Sequence, residues 1–260
     1  MRIFKNGRPV VGMVHLLPLP GAPRARAWHE IRAAANADAL ALACGGVDGI
    51  LIENYGDAPF TGGVVDPQVV AAMAVVAAEI RAAVRVPIGI NVLRNDARSA
   101  LAVALASGAS FIRVNVHVGA AETDQGRIEG KAYETLRYRK ALNADVAIFA
   151  DVFVKHARPA GSVDLAAAAR DTAYRGLADV LLVTGAETGA PPDPERVRQV
   201  QRAVPDRPVW IASGVDAENV REFEEADGFI IGSAFERGGR AGSRVERRRV
   251  RALVQALKRR

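Results

Sequence analysis

A (β/α)8 barrel is the fold that the sequence predicts, on three observations. Eight short apolar runs recur along the chain, helical stretches fill the gaps between them, and the eight units take up about 230 residues, the size of such a barrel. The runs are not broken by alternating polar residues. Strands of that kind form a parallel sheet covered on its outer face by helices. An open, doubly wound sheet is the rival, but it calls for Gly-x-Gly-x-x-Gly after the first strand, where this chain has HLLPLPG. No boundary, linker or low-complexity segment divides the 260 residues, so residues 1–260 are expected to form a single barrel domain.

The strands in order are VVGMVH (10–15), GILIEN (49–54), IGINVL (88–93), FIRVNVH (111–117), AIFADV (147–152), VLLVTG (180–185), VWIASG (209–214) and GFIIGS (228–233). The second, fourth, sixth and eighth follow helix ends with small or acidic residues, GGVDG, SGASF, GLADV and EADGF. The first, third and seventh follow RPV, RVP and DRPV; the fifth, after LNADV, fits less well. Between them, Gly108 closes the helix SALAVALAS. Asp193-Pro194-Glu195 reads as an N-cap, a first-turn proline and an acidic first turn, followed by Val197, Val200 and Val204 on one face. Asp216 is expected to cap a helix that turns Val220 and Phe223 inward. The final segment, RVERRRVRALVQALKRR, places Val250, Leu253, Val254 and Leu257 at helical spacing beneath an arginine-rich face.

Composition narrows the function classes. With 50% hydrophobic, 25% charged and 5% aromatic residues, the chain is that of a globular protein packed with Ala, Val, Leu and Ile, not a disordered one. Its single cysteine, Cys44, cannot form an intramolecular disulfide, which points to a reducing, cytoplasmic setting. The N-terminal MRIFKNGRPV lacks the apolar core of a secretory signal. The longest apolar run, VVAAMAVVAA (69–78), is about half of what a bilayer needs, so no membrane insertion is expected. The net charge of +6 is concentrated at the end: from Arg237 onward ten basic residues face one acid, Glu246, and the rest is net acidic. That arginine face reads first as solvated and second as a peripheral contact with an anionic surface. No stacking aromatics accompany it, so nucleic acid is not an expected partner.

The fourth strand poses the functional question. Side chains alternate along a strand, so if Ile112, Val114 and Val116 pack outward, Arg113, Asn115 and His117 point into the barrel. An unpaired charge there is costly, so the stripe implies partners. Polar residues stand at corresponding strand ends: His15, Glu53, Asn91, Asp151, Lys155, Thr184, Ser213 and Ser233. In this fold those ends form the active-site face. Glu53 and Asp151 suit acid–base work with His117 as a further proton carrier, and a desolvated Lys155 could form a Schiff base. His15, Glu53, His117 and Asp151 leave a divalent ion open, although no short metal-ligand motif is present and no cofactor is assigned. Ser213-Gly214 and Gly232-Ser233, with small residues near helix starts, are the expected phosphate-binding corner. Two glycine-rich loops, 54–67 and 118–132, are candidate lids.

Several blocks resemble one family. GMVHLLPLPG, GVDGILIENYGDAPF, GINVLRNDARSALAVA, FIRVNVHVGA with DQGRIEGKA, ADVFVKHA, LLVTGAETG and PVWIASGV are similar, in order, to the BtpA/SgcQ family of predicted barrel enzymes. The resemblance implies a barrel of the ribulose-phosphate-binding type. It marks His15, Glu53, Asn91, Arg113, Asn115, His117, Asp151, Lys155, His156 and Thr184 as motif positions. The chain departs from the family after the eighth strand, where Ala234-Phe235-Glu236-Arg237 puts an acid where a lysine would help hold phosphate. Some members are associated with photosystem I biogenesis and others with sugar-utilisation operons. The expected function is therefore an enzyme acting by acid–base chemistry on a small phosphorylated sugar or nucleoside-derived ligand, as a phosphosugar isomerase, a lyase or an enzyme cleaving a glycosidic bond. The alternative is a non-catalytic assembly or stabilisation factor for a membrane complex such as photosystem I. A homo-oligomer is expected in either case.

Overall fold

The computed structural model describes residues 3–4 and 7–258. Arg259 and Arg260 of the predicted last helix, and Met1, Arg2, Lys5 and Asn6 of the N-terminal stretch, lie outside the described residues. All eight predicted runs are barrel strands: β1 Val10–His15, β2 Gly49–Glu53, β3 Ile88–Asn91, β4 Phe111–Val114, β7 Ala147–Asp151, β9 Val180–Val183, β10 Val209–Ile211 and β11 Gly228–Ile231. They pair in parallel, each with the next, and β11 closes on β1. The helices α1 Trp28–Gly45, α2 Pro67–Ala83, α3 Ala97–Ser107, α4 Ala132–Ala141, α5 Leu165–Arg170, α6 Pro194–Ala203 and α7 Arg247–Lys258 cover the outside.

Alternation sorts the side chains into two cores. Ile50, Ile52, Ile112, Val114 and Ile148 face outward and pack with Met73, Val76, Ile80 and Leu101 of the helix layer. Val11, Met13, Leu51, Phe111, Phe149, Leu182, Trp210 and Ile230 face inward and fill the barrel. Phe4 plugs the N-terminal end, its ring 5.9 Å from Phe111, 6.5 Å from Phe149 and 5.3 Å from Trp210. Filled from below by apolar layers, the barrel has polar side chains in its inward layer only at the C-terminal rim. There the register aligns His15 with Glu53 and Glu53 with Asn91.

Caps behave as the sequence predicts. The Asp193 side chain accepts from the Glu195 N–H at 2.8 Å with Pro194 opening α6, and Gly108 ends α3 in the left-handed conformation. Three expectations are corrected. β4 stops at Val114, because the Asn95 side chain grips both the N–H and the C=O of Val116 at 2.8 Å in place of a neighbouring strand. The helix expected after β10 is only a 3-10 turn, Val220–Phe223. Asp216 and Asn219 tie the preceding loop to itself and to Gly214, which uses up the residues a longer helix needs, while Val220 and Phe223 are buried as expected. The 118–132 loop is not irregular: β5 Ala120–Thr123 and β6 Gly126–Glu129 form a hairpin that joins β8 Ala157–Pro159 in a three-stranded antiparallel sheet.

Candidate functional site at the barrel mouth

The inward arginine of β4 has its partner on β7. Arg113 donates from Nε and Nη2 to the two carboxylate oxygens of Asp151, both at 2.9 Å, and neither side chain is more than 2% exposed. Burial alone pulls this guanidinium down, but the Asp151 charge, with Glu53 behind it, more than offsets that and holds it above its usual value. Asn115 donates a third bond to Asp151 at 3.2 Å, and Asn91 donates to Asn115 Oδ1 and to the Arg113 carbonyl, both at 3.1 Å. The Asn91 Oδ1 is buried without a partner. With three donors on it, Asp151 orients Arg113 and is poorly placed to take a substrate proton.

Glu53, at the end of β2, is in a different situation. Its carboxylate accepts no side-chain hydrogen bond among the described residues; the one basic side chain within 4 Å among them is His15, whose Nε2 lies at 3.8 Å. The other nitrogen of that imidazole, Nδ1, lies 2.7 Å from Glu236, which is 1% exposed. Tyr55 covers the ring at 4.6 Å between centroids, and burial, then Glu53 and Glu236, push its phenol up. Gly232 is required here by contact, because a Cβ would sit 2.9 Å from His15 Cε1. Glu236, which looks from the sequence like a loss at a phosphate corner, is thus an anchor for His15.

Lys155 lies beyond the end of β7. Its N–H donates to Thr184 Oγ1 at 3.0 Å and its carbonyl accepts from Arg94 Nη2 at 2.7 Å. Phe153 (φ 57°) and His156 (φ 55°) on either side are left-handed, an uncommon conformation for bulky residues that is found where a backbone is held for a purpose. Burial, with Arg113 adding to it, lowers the Lys155 ammonium to about 8. Burial also lowers Arg94, against the pull of Asp151 and Glu53. His156 Nε2 accepts from the Thr188 N–H at 3.2 Å, and burial followed by Lys155 lowers that imidazole.

A cavity of about 930 Å³ opens at this face, lined among others by Glu53, Tyr55, Arg94, Arg113, Lys155 and His156. Asn115, Asp124, Thr188, Arg24 and Arg26 complete the polar part of the wall. Of the residues expected at the site, Glu53, Arg113, Asn115, Lys155 and His156 meet at this cavity. His15, Asn91, Asp151 and Thr184 sit behind them as supports. Arg94, Tyr55, Asp124 and Glu236 are additions that strand alternation does not reach, since all four follow strand ends.

Two expectations about placement are corrected. His117 leaves the barrel interior: its Nε2 bonds the Gly176 carbonyl at 2.8 Å, and burial lowers its imidazole. Once β4 ends, alternation no longer dictates direction. None of Ser213, Gly214, Gly232 and Ser233 lines the cavity. Ser213 Oγ bridges the Gly185 N–H (2.8 Å) and the Ala190 carbonyl (3.1 Å). Gly214, at φ 70°, lies under the Ala190–Pro191 backbone, where a Cβ would come within 2.1 Å. Among the described residues no group of three or more His, Cys, Asp or Glu is arranged to hold a metal ion.

A closed parallel barrel whose charged residues gather at its C-terminal mouth is the architecture of a large class of small-molecule enzymes. The chain belongs to the BtpA family, whose pattern matches residues 6–259. It is 48% identical to the photosystem I biogenesis protein BtpA of Synechocystis, over 98% of this chain and 89% of that one. An uncharacterised protein of Thermococcus kodakarensis is 44% identical over 96% and 95% of the two chains. Among solved structures, orotidine 5'-monophosphate decarboxylase of Methanocaldococcus jannaschii superposes with a TM-score of 0.60 at 14% identity, covering 97% of this chain and all of that one. N-(5'-phosphoribosyl)anthranilate isomerase of Pyrococcus furiosus does so at 0.58 and 15%, covering 97% of this chain and 100% of that one. At such identities the likeness shows the fold alone.

Proposed function

We propose that the chain is an enzyme that binds a small phosphorylated ligand, a sugar phosphate or a nucleoside-derived phosphate, in the barrel mouth. In this reading Glu53 exchanges protons with the ligand. One observation carries it: a single cavity wall holds five cationic side chains, Arg24, Arg26, Arg94, Arg113 and Lys155, together with a carboxylate, Glu53, that has no hydrogen-bond partner of its own. Cations in a desolvated wall favour an anionic ligand, and a carboxylate without competing donors is available to a proton. The volume suits a ligand of metabolite size. The phosphate is therefore assigned to the Arg94–Lys155 side of the mouth instead of the Ser213–Ser233 corner. His15, held by Glu236, stands 3.8 Å behind Glu53, close enough to exchange a proton with it through a small shift.

The test is a thermal-shift series on the full chain with inorganic phosphate, sugar phosphates and their unphosphorylated counterparts, because a ligand that binds only the folded state raises the melting temperature. A saturable shift with a sugar phosphate that is lost in Glu53→Gln supports the proposal. Equal response, or none, to phosphorylated and unphosphorylated compounds sinks it. A second reading, assembly of a membrane complex, draws on the name of the Synechocystis relative and on the exposed arginines of α7.

A further inference from the structure

Lys155 differs from Arg94 and Arg113, the two buried arginines of the mouth. Arg113 is held in a fork by Asp151, and Arg94 donates to a carbonyl. The Lys155 Nζ takes part in none of the ion pairs among the described residues, although Glu53, Arg94, Arg113 and, behind them, Asp151 all act on it electrostatically. Its backbone is fixed from both sides, by Thr184 and by Arg94, between two left-handed residues. An amine that is positioned by its backbone, desolvated and unpaired on the wall of a cavity that also holds a carboxylate is equipped as a nucleophile.

We infer that Lys155 forms an imine with the carbonyl carbon of a phosphorylated aldehyde or ketone bound in the mouth. The inference rests on the reading of this cavity as a phosphorylated-ligand site. The neutral amine adds its lone pair to the carbonyl carbon, and the carbonyl oxygen takes up a proton to give a carbinolamine. The nitrogen then gives up a proton, the hydroxyl leaves as water after taking one up, and a C=N bond replaces C=O. Glu53, on the wall of the same cavity, is the group that shuttles these protons. The protonated imine draws electrons from the neighbouring carbon, which eases loss of a proton or cleavage of a C–C bond there. Hydrolysis returns the amine, so no oxidant or reductant is consumed. With its amine at about 8, Lys155 carries at pH 8 roughly a hundredfold more neutral amine than an ordinary lysine.

The experiment is reductive trapping of the full chain with glyceraldehyde phosphate and sodium cyanoborohydride at pH 8, followed by peptide mass mapping. The expected result is one adduct at Lys155, formed at least about tenfold faster than adducts at the exposed Lys140. It should be slower with unphosphorylated glyceraldehyde and absent in Lys155→Arg, with folding checked by circular dichroism. Labelling of Lys155 no faster than Lys140, or equally fast with and without the phosphate, overturns the inference. If sugar phosphates still raise the melting temperature in that case, the imine falls and the binding site stands; if they do not, both fall.

Discussion

Glu53 and Asp151 are both buried carboxylates at the C-terminal rim of the barrel, but their surroundings give them opposite duties. Asp151 accepts three hydrogen bonds and neutralises Arg113, so Asp151→Asn leaves a guanidinium buried without its counter-charge. Breaking such a pair costs about 3–5 kcal/mol, and urea denaturation of the variant should show a loss of that size. Glu53→Gln removes no hydrogen bond, so its unfolding free energy should change by less than about 1 kcal/mol while the response to ligand disappears. Equal losses in the two variants would mean that Glu53 is a structural counter-ion. Lys155 adds a pH signature. Its folded value of about 8 lies below that of the unfolded chain, so between the two the unfolded state binds more protons and stability rises with pH. The burial cost is therefore present in full below pH 8 and is relieved as pH climbs toward the ordinary lysine range. Lys155→Met should accordingly be more stable than the parent at neutral pH, by on the order of 1–3 kcal/mol, and this advantage should shrink by pH 10. A difference that does not vary with pH would mean that the ammonium is not desolvated.

Strand alternation explains both what the sequence reveals and where it stops. Within a ladder the period of two is enforced by neighbouring strands, so Glu53, Asn91, Arg113 and Asp151 could be oriented from sequence, and all four lie on the inward face. Past the last ladder bond that constraint is gone. His117 turns out to Gly176, while Arg94, Tyr55, Asp124 and Glu236 come to the mouth or its support from loops whose path depends on tertiary contacts. Asn95 shows how such a path is set. Its side-chain amide pairs with both backbone groups of Val116, and so fixes the segment that carries Asn115 to Asp151. Asn95→Ala leaves two backbone groups without these partners and should destabilise the fold by about 1–3 kcal/mol. It should also weaken ligand binding, although Asn95 does not line the cavity. Binding unchanged beside a clear stability loss would show that the Asn115 segment holds its place unaided. In the antiparallel sheet only the β5–β6 hairpin is local; β8 joins it from a loop distant in sequence, a pairing that no local pattern signals.

At the scale of the whole molecule, the mouth and the basic face are separate features, so the two functional readings can be tested independently. Helix α7 buries Val250, Leu253 and Val254 against the body and leaves Arg247, Arg248 and Arg251 exposed around a shallow depression. No helix among the described residues is long and apolar enough to cross a membrane, and this basic face is the surface that the assembly reading draws on. A basic residue near an anionic bilayer contributes about 1 kcal/mol, so three supply about 3 kcal/mol, or roughly a hundredfold enrichment that salt weakens. That is too little for stable attachment by α7 alone. Co-sedimentation with vesicles of phosphatidylglycerol and phosphatidylcholine is therefore expected to be weak and to vanish at physiological ionic strength. Replacing the three arginines with glutamate should leave the thermal shift by a sugar phosphate intact, because none of them lines the mouth. Vesicle binding that survives physiological salt and is lost in that triple variant, together with silence across the sugar phosphates, would instead make α7 the working surface and the charged mouth a scaffold.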